Sequence, residues 1–214
     1  MEVSIAGGHG QIALLLTKLL HKRGDRIRSI IRNPAQADRV RATGGHPVIC
    51  DLESATDEEV ANAVAPADAV VFAAGAGPGS GAARKESMDY GGAAKLIRAA
   101  KAGGIRRYVM ISAARADASA TGDDTFSVYL RAKGRADDEV MASGLDYTIV
   151  RPVRLTDAPG TGLVHLGRGV GRGTISRADV AEIVAAALIE GASVGKVFEA
   201  RAGEDPVGEA LSRL

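Results

Sequence analysis

Tyr129 and Lys133 stand four residues apart in Tyr129-Leu130-Arg131-Ala132-Lys133, inside a stretch, Phe126 to Ser143, whose apolar spacing predicts a helix. Residues four apart share a helix face, so a phenol and an ammonium can be aimed at one site. A free phenol titrates at about 10, too high for easy proton exchange at neutral pH. A cation about 4 Å away contributes up to ~4 kcal/mol at an effective dielectric of roughly 20, or about three pKa units. That pairing predicts Tyr129 as an acid working near neutrality. Ser112 follows a predicted strand, 107 to 111, and is placed to hold a substrate oxygen. The same Tyr and Lys spacing occurs by chance in many helices, so its meaning depends on what precedes it.

What precedes it is Met1 to Ala13, MEVSIAGGHGQIA: a short apolar strand, a glycine turn, then an apolar-periodic helix. A strand that delivers the chain into glycines lets backbone N–H groups approach a pyrophosphate, and the positive end of the next helix faces the same anion. The spacing is Gly7-x-x-Gly10-x-x-Ala13. Gly7 and Gly8 permit the turn and the close approach, and Ala13 is small enough for the helix to pack on its strand. Gly7, Gly8, His9, Gly10, Gln11 and Ile12 are therefore the candidate cofactor loop. His9 is open to two readings, a hydrogen bond to phosphate or a solvent-facing turn residue. With His21, His46 and His165 it shows no metal-ligand spacing, so no metal is expected.

Ligands of such sheets lie beyond the carboxyl ends of the strands. Strand two ends in Ile31-Arg32-Asn33, where an acid would accept from the ribose 2′-hydroxyl of NAD and an arginine suits the added phosphate of NADP. Arg32 therefore favours NADP(H) over NAD(H). Asp51 and Leu52 close strand three. Strand four runs into Ala74 and Gly75, small enough to let the chain pass a bound adenosine.

The elements that must position these groups alternate. Predicted strands at 2–6, 26–31, 46–50, 69–73, 107–111 and 146–150 are separated by predicted helices at 11–23, 35–42, 57–65, 86–102 and 126–143. Gly24, Gly44, Gly103 and Gly144 follow helices where a left-handed cap fits. Six strands in this rhythm predict an α/β fold, a doubly wound parallel sheet in the order 3-2-1-4-5-6. Residues 1–214 read as a single domain, with 151–214 as a small substrate-side extension. Arg151 to Thr174 reads as irregular, with Gly160, Gly162, Gly167, Gly169, Gly171 and Gly173 along it, and either a lid over substrate or an ordered surface loop is expected for 154–174. A helix from Ala178 to Ile189, capped by Ser176 with Asp179 at its third position, a short strand near 197–200 and a terminal helix complete the chain.

The 214 residues are 46% hydrophobic and 25% charged, with a net charge of +1, which excludes the steering field of a nucleic-acid or membrane-surface binder. The lone cysteine, Cys50, forms no internal disulfide and reads as a small core residue in a reducing compartment. No run approaches the ~18 apolar residues of a membrane span. The glycine motif occupies the place of a signal peptide, so a cytoplasmic protein is expected, monomer or homodimer.

Together these segments resemble the short-chain dehydrogenase/reductase superfamily, in its atypical NAD(P)H-binding branch with the NmrA-like and the flavin or biliverdin reductase-like proteins. The resemblance also rests on Arg107 to Ser112, Ser143 to Pro152 and Ile175 to Ala181, and it covers nearly the whole chain. It implies Asp51 and Leu52 beside adenine, Ala74 and Gly75 beside the ribose and phosphate, and Pro152 and Val153 beside nicotinamide. It also implies Ser112, Tyr129 and Lys133 as the catalytic trio, with Lys133 holding the ribose. The first residue of the family's fingerprint, often threonine, is Ala6 here, and the third glycine is Ala13. The expected function is an NADPH-dependent oxidoreductase passing hydride to a small carbonyl-, quinone- or flavin-like acceptor. The alternatives are a non-catalytic NADP(H) sensor and, disfavoured by Arg32 and the short stretch after Pro152, an NAD-dependent epimerase or dehydratase.

Overall fold

In the computed structural model, which describes residues 1–77 and 79–214, the central strands are apolar on both faces because helices cover both. Val3 and Ile5 of β1 (Glu2–Ala6), Val71 of β4 (Ala69–Phe72) and Val109 and Ile111 of β5 (Arg107–Ile111) point to one side. There they meet α1 (Gln11–Arg23), which packs along α7 (Arg177–Ala187). Their neighbours Ala6, Val70, Phe72, Tyr108 and Met110 point to the other side, onto α3 (Asp57–Val64), α5 (Ala93–Ala102) and α6 (Thr125–Ala142). Side chains that alternate at every residue of a strand make this two-sided core unavoidable.

The sheet runs β3 (His46–Ile49), β2 (Arg26–Ile31), β1, β4, β5, β6 (Asp146–Pro152), the order 3-2-1-4-5-6, all parallel. The fold is Rossmann-like. β10 (Lys196–Ala202) adds a further parallel strand beside β6, and β8 (Leu163–Gly167) and β11 (Asp205–Pro206) extend the edge antiparallel. β7 (Arg154–Thr156) and β9 (Thr174–Ser176) form a separate parallel pair. The short α2 (Ala37–Arg41) follows a 3-10 turn at Pro34–Gln36, and α8 (Val207–Ser212) ends the chain.

The structure corrects three readings. Arg151 to Thr174 is irregular only in part: β6 extends to Pro152, β7 and β8 lie within it with their backbone groups held by β9 and β10, and only Val153, 157–162 and 168–173 carry no strand. The glycines there punctuate strands, so the lid reading of 154–174 has no support across these paired stretches. The helix expected over 86–102 starts earlier, at α4 (Ala82–Arg84), and runs as a π-helical segment through Lys85–Gly92 before α5. Gly103 is not left-handed, at φ −82°; the next residue, Gly104, takes the turn at φ 66°. The cap at Ser176 is present, its Oγ accepting from the Asp179 N–H at 2.9 Å.

Candidate functional site

Two cavities lie side by side along the carboxyl edge of the sheet. The first spans the ends of β1 to β4, holds about 290 Å³ and is lined by Gly7, His9, Gly10, Arg32, Asp51, Leu52, Ala74 and Gly75, among others. Gly7 has φ 78°, and a Cβ there would sit 2.6 Å from the Ala74 Cα, so only glycine lets these two loops touch. Gly8 does not reach the cleft. It is buried against β2, its N–H bonded to the Ile30 carbonyl at 2.9 Å, while the Gly10 N–H is spent on the Gly7 carbonyl at 2.8 Å. The donors left for an anion belong to His9 and the first turn of α1. Gln11 and Ile12 do not line this cavity, and as first-turn residues their backbone N–H groups have no intrahelical acceptor.

That turn differs from the starts of α3, α6 and α7. Thr56 caps α3, Asp124 caps α6 and Ser176 caps α7, each through a side-chain oxygen. α1 begins at Gly10 with no side-chain cap and no acid in its first turn. Its orphan N–H groups and dipole therefore face the cleft uncompensated.

Arg32 stands at the outer rim, half exposed, 3.8 Å from Glu53. Glu53 is also gripped by Arg84 at 3.1 Å. Burial pushes the Glu53 carboxyl up, but hydrogen bonds from Ser87 and Arg84 and the two guanidinium charges hold it below its usual range. The rim is thus two arginines sharing one acid, and neither Glu53 nor Arg84 was found from sequence. Burial and the nearby Arg39 lower the His9 pKa, so the imidazole is neutral at neutral pH. Cys50 is half buried, and burial raises its thiol, an unreactive setting.

The second cavity, about 1030 Å³, opens past the ends of β5 and β6 and is lined by Ser112, Tyr129, Leu130, Pro152, Val153 and residues of the following loops. Tyr129 faces it from α6. Lys133, one turn on, is 3% exposed and does not line it: its Nζ donates to the Ile111 carbonyl at 3.2 Å and lies 3.4 Å from Asp89 Oδ1. Asp89 comes from the π-helical segment, whose widened turn carries it inward to accept the Ala76 N–H at 3.2 Å. The Ser112 hydroxyl donates to Asp137 at 2.9 Å, and Asp137 is paired with Arg151 at 2.8 Å.

These pairings reverse the expected direction of the Tyr129 pKa shift. Burial raises its phenol, Lys133 pulls it down only in part, and Asp89 and Asp137 push it further up. The cation invoked from spacing is present, but its field is shared with two carboxylates the spacing did not show. Burial likewise raises the Asp137 carboxyl, with Arg151 as the main opposing charge. Asp137 was legible in principle, since Tyr129, Lys133 and Asp137 recur at four-residue steps on one face. Asp89 was not, because a regular helix would have aimed it elsewhere. Among the described residues no group of three or more His, Cys, Asp or Glu side chains could hold a metal ion, and no helix is long and apolar enough to cross a membrane.

A parallel sheet with a glycine-lined crevice at its switch point and an uncapped helix start facing that crevice defines a dinucleotide-binding Rossmann protein. The chain belongs to the NAD(P)H-binding family, whose model matches residues 7–190. It is 39% identical over 215 residues to the uncharacterized sugar epimerase YhfK of Bacillus subtilis, the match covering all of both chains. A solved structure from Bacillus halodurans, provisionally described as an NAD-dependent epimerase/dehydratase, superposes with a TM-score of 0.92 at 35% identity, again over 100% of both. The oxidoreductase ylbE of Lactococcus lactis gives a TM-score of 0.86 at 27% identity, covering 100% of this chain and 96% of that one.

Proposed function

We propose that this protein is an NADPH-dependent oxidoreductase of the atypical short-chain type, reducing a small carbonyl-, quinone- or flavin-like acceptor. The observation that carries the reading is the adjacency of the two cavities, with an uncapped α1 in one and Tyr129 in the other. The nicotinamide cofactor would supply the hydride. The α1 N–H groups would hold its pyrophosphate, Arg32 and Arg84 a 2′-phosphate, and Pro152 and Val153 the wall beside the ring. Lys133 is buried behind Tyr129 as a source of positive potential. Tyr129 keeps its proton at neutral pH because burial raises its pKa, and gives it to the oxygen on which charge develops. An alkoxide is far more basic than a phenolate, so a phenol need not titrate near neutrality to be its acid.

Tyr129→Phe tests this directly: NADPH affinity should change little while turnover of an aldehyde or ketone falls about 10²- to 10⁴-fold. The alkaline fall of kcat/KM in the wild type should lie above the ordinary phenol value of about 10 rather than near neutrality. Full turnover by Tyr129→Phe on every active acceptor removes the tyrosine from the mechanism. A flavin-type acceptor alone is no test, because hydride reaches such a ring without a protein acid. One observation favours a second reading, a non-catalytic NADP(H) sensor: Ser112 and Lys133 are each engaged by carboxylates rather than with Tyr129. An inactive wild type that binds NADPH tightly would decide for it. An NAD-dependent epimerase, the reading named for the Bacillus halodurans structure, predicts instead NAD retained through purification.

A further inference from the structure

The acceptor cavity is lined by Arg115, Arg154, Arg172 and Arg177 against a single carboxylate, Glu199. Arg177 is committed to Asp157 at 2.8 Å. Among the described residues, Arg115, Arg154 and Arg172 have no acid within ion-pair distance. Glu199 forms no ion pair with them either: its Oε1 accepts the Arg115 backbone N–H at 3.3 Å and its Oε2 the Val170 N–H at 3.0 Å. Arg115 is also the only non-glycine with positive φ among the described residues, at 65°. Holding a side chain in that region costs about 1 kcal/mol, and such strain collects at binding sites. Apart from Ser112 and Tyr129, the rest of the wall is apolar.

We infer that the acceptor carries an oxyanion, a carboxylate or phosphate, which Arg115 and Arg154 bind while its apolar or aromatic body lies against Leu130 and Val153. Guanidinium donors reward an oxyanion with charge-assisted hydrogen bonds, and a neutral molecule would leave them unmatched. Because both arginines are exposed, each contact is expected near the lower end of that range. This inference names the substrate class of the proposed reductase site and rests on that reading for the word acceptor, though not for the binding of the anion.

The experiment is calorimetric titration of the NADP⁺-saturated protein with 2-naphthoate, 2-naphthyl phosphate and the neutral 2-naphthamide. Saturation occupies the cofactor's own phosphate sites. At least one anion should bind about 10-fold or more tightly than the amide, with affinity falling as salt rises, and which anion does so separates carboxylate from phosphate. Arg115→Gly removes the guanidinium while keeping a residue that tolerates φ 65°. It and Arg154→Ala should each weaken the anion about 10-fold and leave the amide unchanged. Equal binding of anion and amide, or an anion preference that survives the double variant, overturns the inference. NADPH oxidation by neutral ketones with no anion preference sinks it while sparing the reductase reading. Anion preference with no turnover of any carbonyl upholds it while sinking the reductase.

Discussion

The two cavities at the carboxyl edge of the sheet are built by opposite means. The adenosine side uses backbone: three glycines, an uncapped helix start and loops pressed together until a single Cβ would collide. The acceptor side uses charge: Lys133, Asp89 and Asp137 are each at most 3% exposed, and they arrive from α6 and the π-helical segment to meet behind Tyr129. Backbone donors need only a local turn and tolerate most side chains around them. Buried charges must find partners across the fold, because a lone ion in the interior is too costly to keep. Recognition of a common cofactor can thus be local, while tuning a reactive group is a property of the assembled core.

This contrast can be broken most sharply at Lys133. Lys133→Met strands the Asp89 carboxylate, 1% exposed, and should destabilise the fold by about 3–5 kcal/mol in denaturant titration. Adding Asp89→Asn should recover a good part of that loss. If the single variant is as stable as wild type, the acceptor side is not held by charge pairing.

On the adenosine side the corresponding test is steric. An alanine at Gly8 would place its Cβ 2.6 Å from the Ser29 Cβ and 2.8 Å from the Ser29 Cα, in the rigid centre of β2. Overpacking of this kind costs about 1–3 kcal/mol, so the thermal midpoint should fall and NADPH binding weaken with it. Unchanged cofactor affinity in Gly8→Ala would show that the loop shifts freely and is not preorganised.

The smallest effect is expected at the rim, where the adenosine side does use charge. A charge-assisted hydrogen bond contributes about 1.5–3 kcal/mol, and the exposure of Arg32 and its sharing of Glu53 with Arg84 argue for the low end. Arg32→Ala should weaken NADPH about 10-fold and NADH little, by calorimetry. Equal losses for both cofactors would take the 2′-phosphate away from Arg32.

The chain's own order of residues determined the parallel sheet, because apolar runs alternating with 3.6-period helices leave one economical topology, and all six strands lie within a few residues of where the pattern puts them. It determined the glycine loop too, since a left-handed Gly7 and an uncapped Gly10 are local needs that local residue types declare. Tertiary structure alone decided the rest. β8 and β10 turned a glycine-rich stretch into paired strands, because strand pairing is a contact between segments that no single segment reveals. A π-helical turn aimed Asp89 at Lys133, and the Tyr129 phenol, expected to fall toward neutrality, rose. Its pKa is a sum over every charge and every layer of protein around it, and sequence spacing shows only the neighbours on its own helix.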